Sequence, residues 1–225
     1  MSSSSEKKNS NVDESVSLGE VLDFFSERWV LLAINSLMGG SRHFNELGRD
    51  CGGASGKVLI QKLGKMEQLG IVERTVLSVT PPSTSYALTS KGFLLRPVIG
   101  AIDGWARRYL PAPLDWDSNQ GGEGAHEGKQ PIQLLQQKWV LRIVLALLES
   151  GSAGYNELSR FVGVNVTTLG HRLREMEAGG LIDRTVVTSK PLRYSYTLTA
   201  AGAALQTVIE ATGQWVSQVG GGPTD

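Results

Sequence analysis

Residues 55–92 read SGKVLIQKLGKMEQLGIVERTVLSVTPPSTSYALTSKG, and this stretch decides the fold. Leu59, Leu63 and Met66 recur at i, i+4 and i+7, which predicts a helix with one apolar face. Gly70 stands where that helix needs a C-terminal cap. Ile71–Val79 and Ser85–Thr89 are β-branched segments parted by Pro81-Pro82, so they predict a hairpin. Upstream, Leu22, Phe25, Trp29, Leu32 and Ile34 predict a first helix, and a short helix is expected around Phe44–Leu47. Downstream, a last helix is expected from Gly92 through Trp105.

The same order recurs when the sequence is slid against itself by 110 residues. Trp29-Val-Leu falls on Trp139-Val-Leu, Arg74-Thr-Val on Arg184-Thr-Val, and Ser85-Tyr-x-Leu-Thr-x-x-Gly92 on Ser195-Tyr-x-Leu-Thr-x-x-Gly202. Identity of about 40% over the best-matching stretch marks a tandem duplication, and two copies make a pair of domains where a solenoid needs three or more. Three helices, a two-stranded hairpin and a closing helix describe a winged helix-turn-helix, with the hairpin as the wing. The expected fold class is therefore α+β, mainly α, with two tandem winged helix-turn-helix domains forming an intramolecular pseudo-dimer. The domains are placed at 16–112 and 131–219, after a disordered tail over 1–15. Between them, 113–130 reads as a flexible linker, because Pro113 and Gly121-Gly-Glu-Gly124 interrupt any apolar period.

Charge and chemistry narrow the function. The chain carries 22 basic and 22 acidic residues, 13 and 12 of them in residues 1–115 and 9 and 10 in residues 116–225, so neither half is a basic domain and any contact with nucleic acid must be local. Cys51 is the single cysteine, which excludes an internal disulfide framework and predicts a reducing, cytoplasmic setting. The polar start is no secretory signal, and the strongest apolar run, Trp139–Leu148, carries Arg142 and is too short to span a membrane. His43, His126 and His171 are scattered, no Cys/His spacing suits zinc, and no phosphate loop or nucleophile elbow occurs, so neither metal, cofactor nor enzymatic activity is expected.

These residues resemble the HxlR family of bacterial winged-helix regulators. The likeness rests on Trp29, Arg42-x-Phe-Asn-Glu-Leu47, Ser55-x-Lys-x-Leu-x-x-Lys-Leu63, Leu69-Gly-Ile-Val-Glu-Arg74 and Tyr86-x-Leu-Thr-x-x-Gly92. Tyr155-Asn-Glu-Leu158, Leu181-Ile-Asp-Arg184 and Tyr196-x-Leu-Thr-x-x-Gly202 repeat it. The resemblance implies transcriptional regulators that bind double-stranded DNA, usually as two-fold dimers of single-domain chains. Here the fused copies predict either a monomer serving as its own pseudo-dimer or a homodimer of such chains. Some relatives sense electrophiles with a cysteine near the N-terminus, and residues 1–20 contain none. The family's basic wing tip is Ser83-Thr84-Ser85 in copy one, while copy two keeps Lys190 and Arg193.

On that reading the third helix of each copy is the reading head. Copy one offers Ser55, Lys57, Val58, Gln61 and Lys65 for DNA, and copy two offers Thr167, Thr168, His171 and Arg174, since outward polar side chains reach purine acceptors in the major groove. Lys62 and Arg172 lie on the flanks, where a phosphate is the expected contact, and Glu175 is expected to repel one. Phe25, Trp29, Trp105, Tyr109, Trp139 and Trp215 are expected near the seam between copies, where a small aromatic effector could bind. The alternative function is a small-molecule-binding protein that kept the fold and lost its affinity for DNA.

Overall fold

The computed structural model describes residues 17–80, 82–110 and 135–220. The tail and linker expected at 1–15 and 113–130 lie outside these residues. Helix α1 (Leu18–Phe25) opens with a capping box: the Ser17 side chain accepts from Glu20 N, and the Glu20 carboxylate accepts from Ser17 N at 3.0 Å. Those bonds hold the Glu20 carboxyl below its ordinary pKa. Val21, Leu22, Phe24 and Phe25 face inward.

The expected first helix is in fact two. Trp29 adopts a left-handed backbone (φ 72°, ψ −13°), and α2 (Val30–Met38) starts beyond it. Trp139 repeats the break at φ 74° ahead of α7 (Val140–Ser150). A tryptophan at positive φ is held only where the surroundings over-determine it. After α2 come β1 (Arg42–His43), α3 (Phe44–Asp50), and a turn in which Gly52 and Gly53 both take positive φ. Then follow α4 (Gly56–Gln68), β2 (Val72–Val79), β3 (Pro82–Leu88), α5 (Ser90–Phe93) and α6 (Arg96–Tyr109). The closing helix is thus also interrupted, between Phe93 and Arg96. Copy two continues after α7 with β4 (Ser152–Gly154), α8 (Tyr155–Val162), α9 (Val166–Ala178), β5 (Ile182–Ser189) and β6 (Leu192–Leu198). It ends in α10 (Ala200–Ala203) and α11 (Gln206–Gly220).

Each copy carries an antiparallel three-stranded sheet, in the orders β1-β3-β2 and β4-β6-β5. The edge strand that precedes α3 or α8 pins the helix-turn-helix to the wing. Both hairpins shift register at the same place, between Val76 and Ser78 and between Val186 and Thr188. Gly92 is required by packing: a Cβ there would stand 2.1 Å from the Ile71 carbonyl oxygen, and one on Gly202 would stand 2.0 Å from that of Leu181. This contact explains the last residue of the repeated Leu-Thr-x-x-Gly.

The copies meet through α1, which lies against α7 and α11, and through α6, which lies against α11. Trp105 Nε1 donates to the Ala201 carbonyl at 2.8 Å, and Trp215 Nε1 donates to the Lys91 carbonyl at 2.9 Å. Both pairs are related by the same 110-residue shift, so the two bonds are images of one another. The ion pair between Arg142 Nη1 and Asp23 Oδ2, at 3.0 Å, has no such image, because the matching positions hold Leu32 and Gln133. Burial raises the Asp23 carboxyl, outweighing the hydrogen bond and charge of Arg142.

Candidate nucleic-acid interface

Leu59, Leu63 and Met66 of α4, and Leu169, Leu173 and Met176 of α9, are buried as the apolar period demands. The opposite faces are left to solvent. At the N-cap of α4 Ser55 is exposed, as are Lys57 and Gln61 within the helix, and Val58 is half-buried; in α9, Thr167, His171 and Arg174 are exposed and Thr168 is half-buried. Asn165 caps α9 by accepting from Thr168 N at 2.9 Å, which fixes the first turn of that head. Lys65 is exposed, but its ammonium lies 4.7 Å from the centroid of the Phe24 ring, drawn toward α1.

The two flank residues are engaged inside the protein. Lys62 pairs with Glu27 in the turn after α1, both side chains being about four-fifths buried, and Arg172 pairs with Glu175 one turn along α9. Both were expected to meet phosphates, and in the free protein each has a carboxylate partner. Besides pairing with Arg172, Glu175 lies 3.4 Å from His171 Nε2. The carboxylate expected to repel a phosphate thus has partners within its own helix.

The wings differ as their sequences do. Lys190 and Arg193 are exposed near the tip of the β5–β6 hairpin, whereas Ser83, Thr84 and Ser85 are half-buried on β3. Between helix-turn-helix and wing each copy has a groove. That of copy one encloses about 550 Å³ and is lined by Phe44, Ile60, Gly64, Arg74 and Tyr86 among others. That of copy two encloses about 720 Å³ and is lined by Arg160 and Arg193 with Tyr155, Tyr194 and the carboxylate of Glu157. Arg184 is committed elsewhere, to Glu177 at 3.1 Å and to the face of Tyr194.

Sequence reasoning missed Ile60 and Val166, which stand out from the reading helices at 58% and 67% exposure. Their residue type reads as core, and only their angle relative to Leu59 and Leu169 separates them from it.

The seam aromatics fall into two groups. Phe25, Trp105 and Trp215 are buried, with Phe25 and Trp215 ring centroids 5.8 Å apart, and Tyr109 lies 6.1 Å from Trp105. Trp29 and Trp139 sit instead at the α1–α2 break and its copy, each under a cation, Arg28 or Lys138. The Trp29 indole nitrogen is buried and has no hydrogen-bond partner. Cys51 caps α3 from inside the core, and burial pushes its thiol up to about 12, which keeps it protonated. Among the described residues, no group of three or more His, Cys, Asp or Glu could hold a metal ion, and no helix is long and apolar enough to cross a membrane.

This geometry agrees with comparison to known proteins. The profile of the HxlR-like helix-turn-helix family matches twice, over residues 24–113 and 134–222. The HTH-type transcriptional regulator YvaP of Bacillus subtilis is 38% identical over 97 residues, covering 43% of this chain and 90% of YvaP. YodB of the same organism is 39% identical over 83 residues, covering 37% and 74% of the two chains. Among solved structures, the transcriptional regulator YtfH of Salmonella typhimurium shares 36% identity, covers 41% of this chain and 82% of its own, and has a TM-score of 0.38. Each of these relatives is about the length of one copy. With both halves matched in order, the chain belongs to the HxlR-like helix-turn-helix family, as a tandem duplication of its domain.

Proposed function

We propose that the protein is a DNA-binding transcriptional regulator acting as a repressor, in which the fused copies serve as an intramolecular pseudo-dimer with two unequal reading heads. The observation that carries this reading is the pairing of exposed polar residues on α4 and α9 with a cationic wing on one copy alone. Lys57 and Gln61 read one half-site; Thr167, His171 and Arg174 read the other. Arg160, Lys190 and Arg193 hold the backbone beside copy two. Because operator symmetry mirrors protein symmetry, unequal heads favour an asymmetric operator.

The test is fluorescence-anisotropy binding to duplexes from the protein's own promoter region, with a scrambled duplex as reference. Lys190→Ala with Arg193→Ala removes two phosphate contacts, so the slope of log K against log salt should fall by about 1.8. Between 50 and 200 mM salt that amounts to roughly a twelvefold change in relative affinity. An unchanged slope refutes the wing assignment, and equal affinity for native and scrambled duplexes refutes the regulator reading.

A second reading takes the protein as a binder of aromatic ligands, and the unpartnered Trp29 indole nitrogen favours it. Tryptophan fluorescence that stays constant across a broad panel of aromatic compounds would count against that reading.

A further inference from the structure

Ile60 is an exposed apolar side chain at the edge of the groove it lines with Phe44, on a surface read here as facing DNA. Its i−4 and i+4 neighbours on α4 are Gly56 and Gly64, so the column reads glycine, isoleucine, glycine. A Cβ placed on Gly64 would meet nothing within 4 Å, and one on Gly56 would meet only the rim of the Phe44 ring at 3.9 Å. The isoleucine therefore projects, 58% exposed, between two bare stretches of helix backbone. Gln61 is its exposed neighbour, and Lys57 lies one turn back. In copy two the same column reads Val166, Gly170, Arg174, so the apolar group moves to the first turn and the middle position is empty.

Base-edge chemistry gives such a side chain one natural partner. In the major groove the thymine 5-methyl group is the apolar feature of the four bases, and it stands next to the hydrogen-bonding edge of adenine in A·T steps. Glutamine is suited to the adenine N6/N7 pair. Glycines on both sides let the helix backbone come close enough for a branched side chain to touch a methyl group at the groove floor.

We infer that Ile60 packs against a thymine methyl group and that, with Gln61 on the neighbouring adenine, it makes the half-site of copy one A·T-centred. The inference rests on the reading of the protein as a sequence-specific DNA binder. Copy two lacks the contact at this height and presents Arg174, whose guanidinium suits guanine O6 and N7. The two halves of the operator therefore differ in base composition as well as in order.

The experiment uses the full chain. A preferred duplex is selected from a random-sequence pool, and each thymine in it is replaced singly by uracil, which deletes the methyl group and leaves every hydrogen-bonding group in place. One replacement in the A·T-rich half-site should weaken the wild type about fourfold, the equivalent of ~0.8 kcal/mol for one buried methylene-sized group. Ile60→Ala should bind the thymine and uracil duplexes equally while keeping its response elsewhere, a double-mutant cycle between protein and base. The substitution is on the surface of a helix and favours helix formation, so folding is preserved. A preferred duplex whose thymines are all indifferent to replacement overturns the Ile60 assignment and leaves the regulator reading standing. So does a uracil effect that persists unchanged in Ile60→Ala. A pool that yields no preferred sequence overturns the DNA-binding reading itself.

Discussion

Replacing Gly92 by alanine tests the packing that both copies share. The new methyl group would sit 2.1 Å from the Ile71 carbonyl oxygen and 2.9 Å from Leu88 Cδ2, so α5 must withdraw by about an ångström to reach tolerable contact. The start of α5 is tied down by the bond from Thr89 N to the Ile71 carbonyl at 3.0 Å and by that from the Thr89 hydroxyl to the Gly70 carbonyl. Withdrawal breaks both. Each lost bond removes about 1 kcal/mol, and each buried carbonyl left without a partner adds 1 kcal/mol or more, so Gly92→Ala should cost roughly 3–5 kcal/mol. Gly202→Ala should cost a similar amount, since its Cβ meets the Leu181 carbonyl at 2.0 Å and Thr199 N donates there at 3.1 Å. Gly100→Ala is the control: it lies in α6 with open space around its Cβ, and helix propensity alone should stabilise it by up to ~1 kcal/mol. Urea unfolding followed by far-UV circular dichroism reads all three. A Gly92→Ala protein within about 1 kcal/mol of wild type would refute the claim that close backbone approach selects this glycine.

Three further outcomes follow from the seam, the flank and the core. Arg142→Ala should destabilise the protein at pH 7 by about 1–2 kcal/mol and by much less near pH 3, as measured by unfolding at the two pH values. The sign comes from Asp23: its folded carboxyl is already raised, so the ionised form opposes folding as pH rises through that pKa, and losing Arg142 enlarges the opposition only while Asp23 is charged. Lys62→Met should leave the salt slope of DNA binding unchanged, because its charge is held by Glu27; a fall of about 0.9 would return it to the phosphate contacts. Cys51 should resist a thiol reagent at pH 7.5 in the folded protein and react at least a hundredfold faster, on the order of the ordinary thiol rate, once unfolded in urea; rapid native labelling would contradict its burial.

Much of the fold was legible because its signals are local. The i, i+4, i+7 spacing of Leu59, Leu63 and Met66, the positive-φ Gly70 cap and the hairpin after it each depend on a few neighbouring residues. The breaks at Trp29 and between Phe93 and Arg96 were not legible, since nothing in the local preference of tryptophan calls for a left-handed backbone. Two-residue β1 has no period to detect and is made a strand by its partner β3. At the candidate site, the outward positions of α4 and α9 came from helical geometry alone. Which of their charges are free did not: Lys62 is claimed by Glu27, thirty-five residues away along the chain. Ile60 was hidden by its type, because an isoleucine on a helix is counted with the core until its exposure is seen.

The Asp23–Arg142 pair carries a consequence for descent. When one gene encodes both faces of a symmetric dimer, every substitution is printed twice, and a residue that suits one side must also suit its image. Fusion of the two copies lifts that rule. An aspartate could settle at position 23 opposite an arginine at 142 without an arginine being forced against an aspartate on the other flank. Two surfaces that no longer need to match themselves are free to become lock and key. From then on each half carries its own lineage of change, and the difference between the outward faces of α4 and α9 is the same freedom expressed elsewhere.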